Sequence, residues 1–212
     1  MTFLLNKSML HLNTISDSIQ NTLLALQSKE YLQNFALVGG TNLALRFGHR
    51  SSIDLDMFST QVFDSLGVND LLQIDFNYSY RSNNKYMLFC FINEIKVDWV
   101  YHPFELLQPI ETLEGIRFFS VDDVSAMKLF AVTKRGSKKD FFDIFQLAQE
   151  LGPKKMIENF SNKYGEDKIW MMHLSLTFFD DADKEEDPKL LFPESSWEKV
   201  KKYMKQTFSK LP

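Results

Sequence analysis

Apolar and polar residues change period several times along this chain, and each change marks an element. From about Ser8 to Ser28 the apolar positions Leu10, Leu12, Ile15, Ile19, Leu23, Leu24 and Leu26 keep mostly helical spacing, which predicts an amphipathic helix on the back of a sheet. Phe35 to Val38 is a short apolar run stopped by Gly39-Gly40, the pattern of a buried strand that ends in a turn. Thr41 is expected to cap a helix whose apolar side is Leu43, Ala44, Leu45 and Phe47 and whose end is Gly48. Ser52 to Phe58 then alternates strictly, with Ile53, Leu55 and Met57 on one face and Asp54 and Asp56 on the other. A helix over 64–74 and strands near 75–80, 85–92 and 95–101 follow, the last two joined at Asn93-Glu94 by a tight turn. In the last of these, Ile95, Val97 and Trp99 share one face and Asp98 takes the opposite one.

From Ser120 onward helices replace strands. Ser120, Asp122 or Asp123 caps a helix that buries Val124, Met127, Leu129, Phe130 and Val132 and breaks at Gly136. A second helix runs over about 138–150 to Gly152-Pro153, and others are expected around 154–164, 169–179 and 196–210. The acidic run Asp180 to Pro188 reads as a solvated loop. Strands mixed with helices, followed by helices alone, predict an α+β fold: a mixed sheet flanked by helices over residues 1–118, then a helical region over 119–212.

Bulk properties narrow the function more than the fold. The chain has 212 residues and 44% hydrophobic content, enough for a buried core. A net charge of −4 supplies no overall basic field, so a nucleic-acid contact would need a local patch such as Lys134, Arg135, Lys138 and Lys139 with the C-terminal lysines. A single cysteine, Cys90, excludes an intrachain disulfide and a cysteine metal cluster. No run is long and apolar enough for a membrane span, and Met1 to Leu5 is too short for a signal peptide, so a cytoplasmic location without membrane association is expected. His11, His102 and His173 lack ligand spacing and read as structural or exposed, while the phenylalanines read as core.

The chemistry concentrates between Phe35 and Phe58. Two same-face carboxylates repel each other, and if partly desolvated at least one has its pKa raised unless a cation lies between them. Aspartate oxygens suit Mg²⁺, which binds through one or two carboxylates together with substrate phosphates. Gly39-Gly40-Thr41 at the start of a helix offers backbone N–H groups to phosphate. Phosphate at the turn and metal on the strand together describe a nucleoside triphosphate.

G-G-T followed by D-L-D resembles the nucleotidyltransferase fold of the DNA polymerase beta superfamily, which implies a third carboxylate on a later strand, the place of Asp98. More narrowly, G-G-T…F-G-H-R-S-S-x-D-L-D-x-F resembles the AbiEii/AbiGii toxin family of nucleotidyltransferases, and so do Ala126-Met127-Lys128 and the segment Arg135 to Ile144. The resemblance runs from about Phe35 to about Leu147. It implies Asp54, Asp56 and Asp98 as ligands of Mg²⁺ or Mn²⁺, with Asp98 the proton acceptor. It further implies Gly39, Gly40 and Thr41 at the β and γ phosphates, Lys128 at the triphosphate, and Asp140 orienting Lys128 while Asp143 holds the helix to its neighbours. Arg50 would touch phosphate or the end of an acceptor, or anchor its loop together with His49. The implied reaction moves an NMP from an NTP to the hydroxyl of a tRNA 3′ end or a protein and releases pyrophosphate. The implied setting is a toxin opposed by a separately encoded antitoxin.

Two other classes compete with this reading. A small-molecule nucleotidyltransferase would use the same carboxylates with an acidic acceptor cleft, for which the run from Asp180 is a candidate. A non-catalytic nucleotide-binding module would lack a carboxylate, whereas all three are present.

Overall fold

The computed structural model describes residues 10–191 and 195–208, so the predicted starts and ends at Met1, Ser8 and Lys210 lie outside the described residues. Among the described residues the strands are β1 (Ala36–Val38), β2 (Leu55–Ser59), β3 (Tyr78–Asn84), β4 (Met87–Ile92), β5 (Ile95–Tyr101), β6 (Glu111–Leu113) and β7 (Ile116–Phe118). They form a mixed sheet in the order β3-β4-β5-β2-β1-β7-β6, with β2–β5 and β1–β7 parallel and the other neighbours antiparallel. The helices are α1 (Asp17–Gln27), α2 (Gly39–Phe47), α3 (Ser65–Asp75), α4 (Val121–Val132), α5 (Lys138–Glu150), α6 (Pro153–Tyr164), α7 (Ile169–Leu176) and α8 (Trp197–Phe208). This is the expected α+β architecture.

Alternation along the strands divides the interior in two. On the back face, Ile19, Leu23 and Leu26 of α1 and Val68 and Leu72 of α3 pack on Leu37, Leu55, Met57, Val97 and Trp99. Trp99 is fully buried and meets Phe35 edge to face at 4.9 Å. On the front face, Ala36 and Val38 join a cluster built from α4 to α8 through Val124, Leu129, Phe141, Ile144, Phe160, Met172 and Val200. Each such side chain contributes about 1.5–3 kcal/mol when fully buried. The front helices cover the β1 side, while the front of β2, β4 and β5 borders a cavity.

Several boundaries differ from the sequence reading. The first helix begins at Asp17, because Ser16 stops the preceding turn and its hydroxyl accepts the Ile19 N–H at 3.3 Å. Helix α2 begins at Gly39, with Val38 in the capping position; Thr41 lies inside it and spends its hydroxyl on the Asp54 carbonyl and on Ser52 Oγ at 2.8 Å. Strand β2 starts at Leu55, and Ile53 is 72% exposed instead of sharing a buried face with Leu55 and Met57. Helix α3 continues to Asp75 and delays β3 to Tyr78. The β6–β7 hairpin was not expected, since strands this short carry too few residues to show a period. The Asn93-Glu94 turn does form, with both residues at positive φ, as two-residue hairpins require.

The acidic run is more than a solvated loop. Glu185 accepts the Lys138 N–H at 2.8 Å and the Ser137 hydroxyl at 3.0 Å, while Asp187 meets Lys138 Nζ at 3.0 Å. Asp183 accepts Trp197 Nε1–H at 2.6 Å and Lys201 Nζ at 3.0 Å. Glu185 and Asp187 fasten the start of α5, where the helix dipole favours negative charge, and Asp183 fastens the start of α8. Lys138 is buried by them, which removes it from the expected basic path.

Candidate active site

Parallel pairing of β2 with β5 places Asp56 directly beside Asp98. Both side chains point to the front face, opposite the buried Leu55, Met57, Val97 and Trp99. Beside them lies a cavity of about 450 Å³. Asp56, Asp98, Phe58 and Phe89 line it from the sheet, and Met127, Lys128, Phe130 and Arg135 line it from α4 and the segment that follows. His102, Phe104 and Tyr164 complete its wall.

Gly39 also lines this cavity, and it has no substitute there. Its φ is +71°, and a Cβ would stand 2.1 Å from Asp56 Oδ2. The glycine turn and the carboxylate therefore interlock. Behind the turn, a Cβ on Gly40 would meet Arg50 Nη2 at 2.2 Å. Arg50 is buried and grips Asp143 with Nε at 2.7 Å and Nη2 at 2.8 Å, so it supports the glycine turn and does not line the cavity.

Burial, and then the neighbouring Asp98, push the Asp56 carboxyl above its ordinary pKa, against the pull of Lys128 and Lys96. Asp98 is held on one side only. Lys96, two residues earlier on the same face of β5, reaches Asp98 Oδ2 at 2.6 Å, while Asp98 Oδ1 is buried without a hydrogen-bond partner. Burial would lower the Lys96 ammonium, but Asp98, then Asp54 and Asp56, hold it raised. Asp54 lies one residue before β2, with Lys139 Nζ 3.8 Å from its Oδ2. Among the described residues no three His, Cys, Asp or Glu side chains converge as they stand on a metal position. The donor chemistry nevertheless fits a divalent cation: two carboxylates in register, one with a raised pKa and one with an orphaned oxygen, are relieved by positive charge between them.

Lys128 enters the cavity wall from α4 and is held from behind. Its Nζ lies 2.7 Å from Asp140 Oδ1 and 2.7 Å from Asp143 Oδ2, both on α5. Asp140 also meets Arg135 Nε at 3.2 Å, and Asp143 meets His49 Nε2 at 2.7 Å. Burial alone would raise the carboxyl of Asp143, but Arg50 and Lys128 hold it well below its ordinary value. Burial would likewise lower Lys128, but Asp140 and Asp143 keep it charged.

Sequence reasoning did not single out Lys96, although its spacing from Asp98 on a strand was the available signal. Nor did it find the buried pair of Lys163 and Asp123 at 2.7 Å. That pair joins α6 to α4, and Asp123 also accepts the Leu107 N–H at 2.9 Å, so it ties down the loop after His102. No periodicity signals such a contact. His102 itself is buried among Phe58, Phe104 and Phe119, and burial, then Lys163, push its imidazole down to about 4.

A family model described as nucleotidyl transferase AbiEii toxin, type IV TA system, matches residues 22–86, which include the glycine turn, Asp54 and Asp56. An uncharacterized protein of Aquifex aeolicus strain VF5, aq_aa25, is 30% identical over 179 residues, spanning 82% of this chain and 85% of that protein. Two solved structures share the fold. MenT4, the nucleotidyltransferase toxin Rv2826c of Mycobacterium tuberculosis H37Rv, superposes with a TM-score of 0.52 at 16% identity, covering 92% of this chain and 83% of that one. JHP933 of Helicobacter pylori gives 0.51 at 17% identity over 92% and 90%. The family model covers the glycine turn and both carboxylates beside it, and the toxin MenT4 shares the fold over most of the chain: the chain belongs to the AbiEii family of nucleotidyltransferase toxins.

Proposed function

We propose that the protein transfers an NMP from an NTP to a hydroxyl of a tRNA 3′ end or of a protein, with Mg²⁺ or Mn²⁺. The observation that carries this reading is the pairing of Asp56 with Asp98 beside Gly39 and Lys128 at one cavity. Residues 1–118 bind the nucleotide, and residues 119–212 complete the site and face the acceptor. Divalent cations held by Asp56 and Asp98, with Asp54 drawn in from Lys139, would supply charge that lowers the pKa of the acceptor hydroxyl and stabilises pyrophosphate.

The remaining work belongs to the chain. The first backbone N–H groups of α2, at Gly39, Gly40 and Thr41, lack intrahelical partners and receive the β and γ phosphates. Arg50 keeps that turn in place through Asp143 and adds positive charge behind it. Lys128 stays protonated and offsets charge that develops on the triphosphate. Asp98 accepts the proton of the attacking hydroxyl. The apolar wall of Phe58, Phe89 and Met127 leaves room for the nucleoside and limits water. The small-molecule alternative loses its main support, because Asp183, Glu185 and Asp187 are bound by this chain's own lysines, tryptophan and backbone. A separately encoded antitoxin fits the family setting.

The test incubates the protein with each α-³²P-labelled NTP and Mg²⁺, with and without total tRNA, beside Asp56→Ala. Label on tRNA or on protein that disappears in the variant is expected. Undiminished transfer by Asp56→Ala, or no transfer to any acceptor, would overturn the reading.

A further inference from the structure

The carboxylate site contains its own cation. Lys96 lies 2.6 Å from Asp98 Oδ2, so an ammonium already holds that oxygen, while the other, Oδ1, is buried without a partner. Leu55 pairs with Val97, so the parallel register, continued one residue back, sets Lys96 alongside Asp54; Asp56 lies beside Asp98. One ammonium thus stands among all three acidic residues. It is also the member best able to move, since the Lys96 side chain is 31% exposed and that of Asp98 16%. Lys128 differs: it is 7% exposed and bound to two carboxylates that the cavity does not need.

We infer that Lys96 is a positioning residue that closes Asp98 against metal in the nucleotide-free protein, and that it leaves Asp98 when a divalent cation arrives with a triphosphate. This inference rests on the metal-dependent reading above. A single ammonium balances Asp98 while the site waits and spares it the cost of an unpaired buried carboxylate. It also competes for the same oxygen, so free metal binds weakly. A triphosphate brings further ligands for the cation and a new partner for the displaced ammonium. Lys96 thereby links occupation of the metal site to presence of the nucleotide.

The experiment measures Mn²⁺ binding by the electron paramagnetic resonance of free Mn²⁺, using the full chain without nucleotide. Wild type, Lys96→Gln, Lys96→Arg and Asp98→Asn are compared after thermal unfolding confirms that each is folded. Lys96→Gln is expected to bind Mn²⁺ about tenfold or more tightly than wild type, since a full positive charge next to the ligand oxygen is removed. Lys96→Arg retains the charge and should bind as weakly as wild type, and adding a non-hydrolysable NTP analogue should narrow the gap between wild type and Lys96→Gln. Equal affinity of wild type and Lys96→Gln, with binding lost in Asp98→Asn, would overturn the role of Lys96 and leave the metal site standing. Binding indifferent to Asp98 in every variant would overturn both. If Lys96→Gln unfolds, Lys96→Met takes its place as the variant without the charge.

Discussion

Asp143 sits where α5, α4 and the loop after α2 meet, and replacing it with asparagine tests whether the active site is held by buried charge. Its side chain is fully buried and receives Arg50 Nε at 2.7 Å, Arg50 Nη2 at 2.8 Å, His49 Nε2 at 2.7 Å and Lys128 Nζ at 2.7 Å. Asparagine preserves the shape but removes the charge, and its amide turns a donor toward groups that are themselves donors. Arg50 and Lys128 are then left largely uncompensated, with Asp140 the remaining anion against Lys128. Breaking a buried ion pair by removing one partner costs about 3–5 kcal/mol, and two cations lose a partner here, so the upper half of that range is expected. That is a large share of the roughly 5–15 kcal/mol that keeps a domain folded. Urea unfolding at pH 7, followed by tryptophan fluorescence, reads the loss. Because the cost lies in stranded charge, Asp143→Asn combined with Arg50→Met should be less damaging than the sum of the two singles by at least about 2 kcal/mol. A loss below about 1 kcal/mol for Asp143→Asn, or strict additivity in the cycle, would refute the account.

Two further perturbations probe the cavity. Gly39→Ala must displace Asp56, since the new methyl would lie 2.1 Å from Oδ2, and it also strains a backbone at φ +71°; a stability loss of about 1–3 kcal/mol and a fall in transfer rate of about a hundredfold or more are expected, and near wild-type transfer would show that the interlock is unimportant. His102, pushed from 6.5 down to about 4, leaves the unfolded chain binding more protons between those values. Its contribution to stability is fully present above 6.5 and falls as pH drops toward 4. Wild type should therefore lose about 2 kcal/mol more between pH 7 and pH 5 than His102→Gln does in chemical denaturation, and parallel pH profiles would contradict the buried neutral imidazole.

The chain's periodicity made the main elements and the catalytic face legible for local reasons. Alternation over Leu55 to Phe58 and Ile95 to Val100 turns Asp56 and Asp98 away from the core, and this depends only on the pleat of a strand. The glycine pair marked the turn because a side chain is absent there. Family resemblance then joined these local features into one site. It also supplied the pairing of Lys128 with Asp140, for which spacing along the chain gave no signal.

Tertiary structure decided the rest, because those contacts join residues far apart in the chain. Which edge of β2 pairs with β5 determines that Asp56 and Asp98 are neighbours, and alternation within either strand says nothing about register between them. Arg50, which the sequence left between a phosphate contact and a loop anchor, becomes the buried brace of the glycine turn only when α5 brings Asp143 to it. The acidic run becomes a clamp on α5 and α8 only when Lys138 and Trp197 reach it. By itself the sequence determined the elements, the face of each strand and the residues able to do the chemistry, since those follow from local periodicity and side-chain type. The partner of each charge, and so which side chains are spent on holding the site and which remain for substrate, was settled by packing between distant segments.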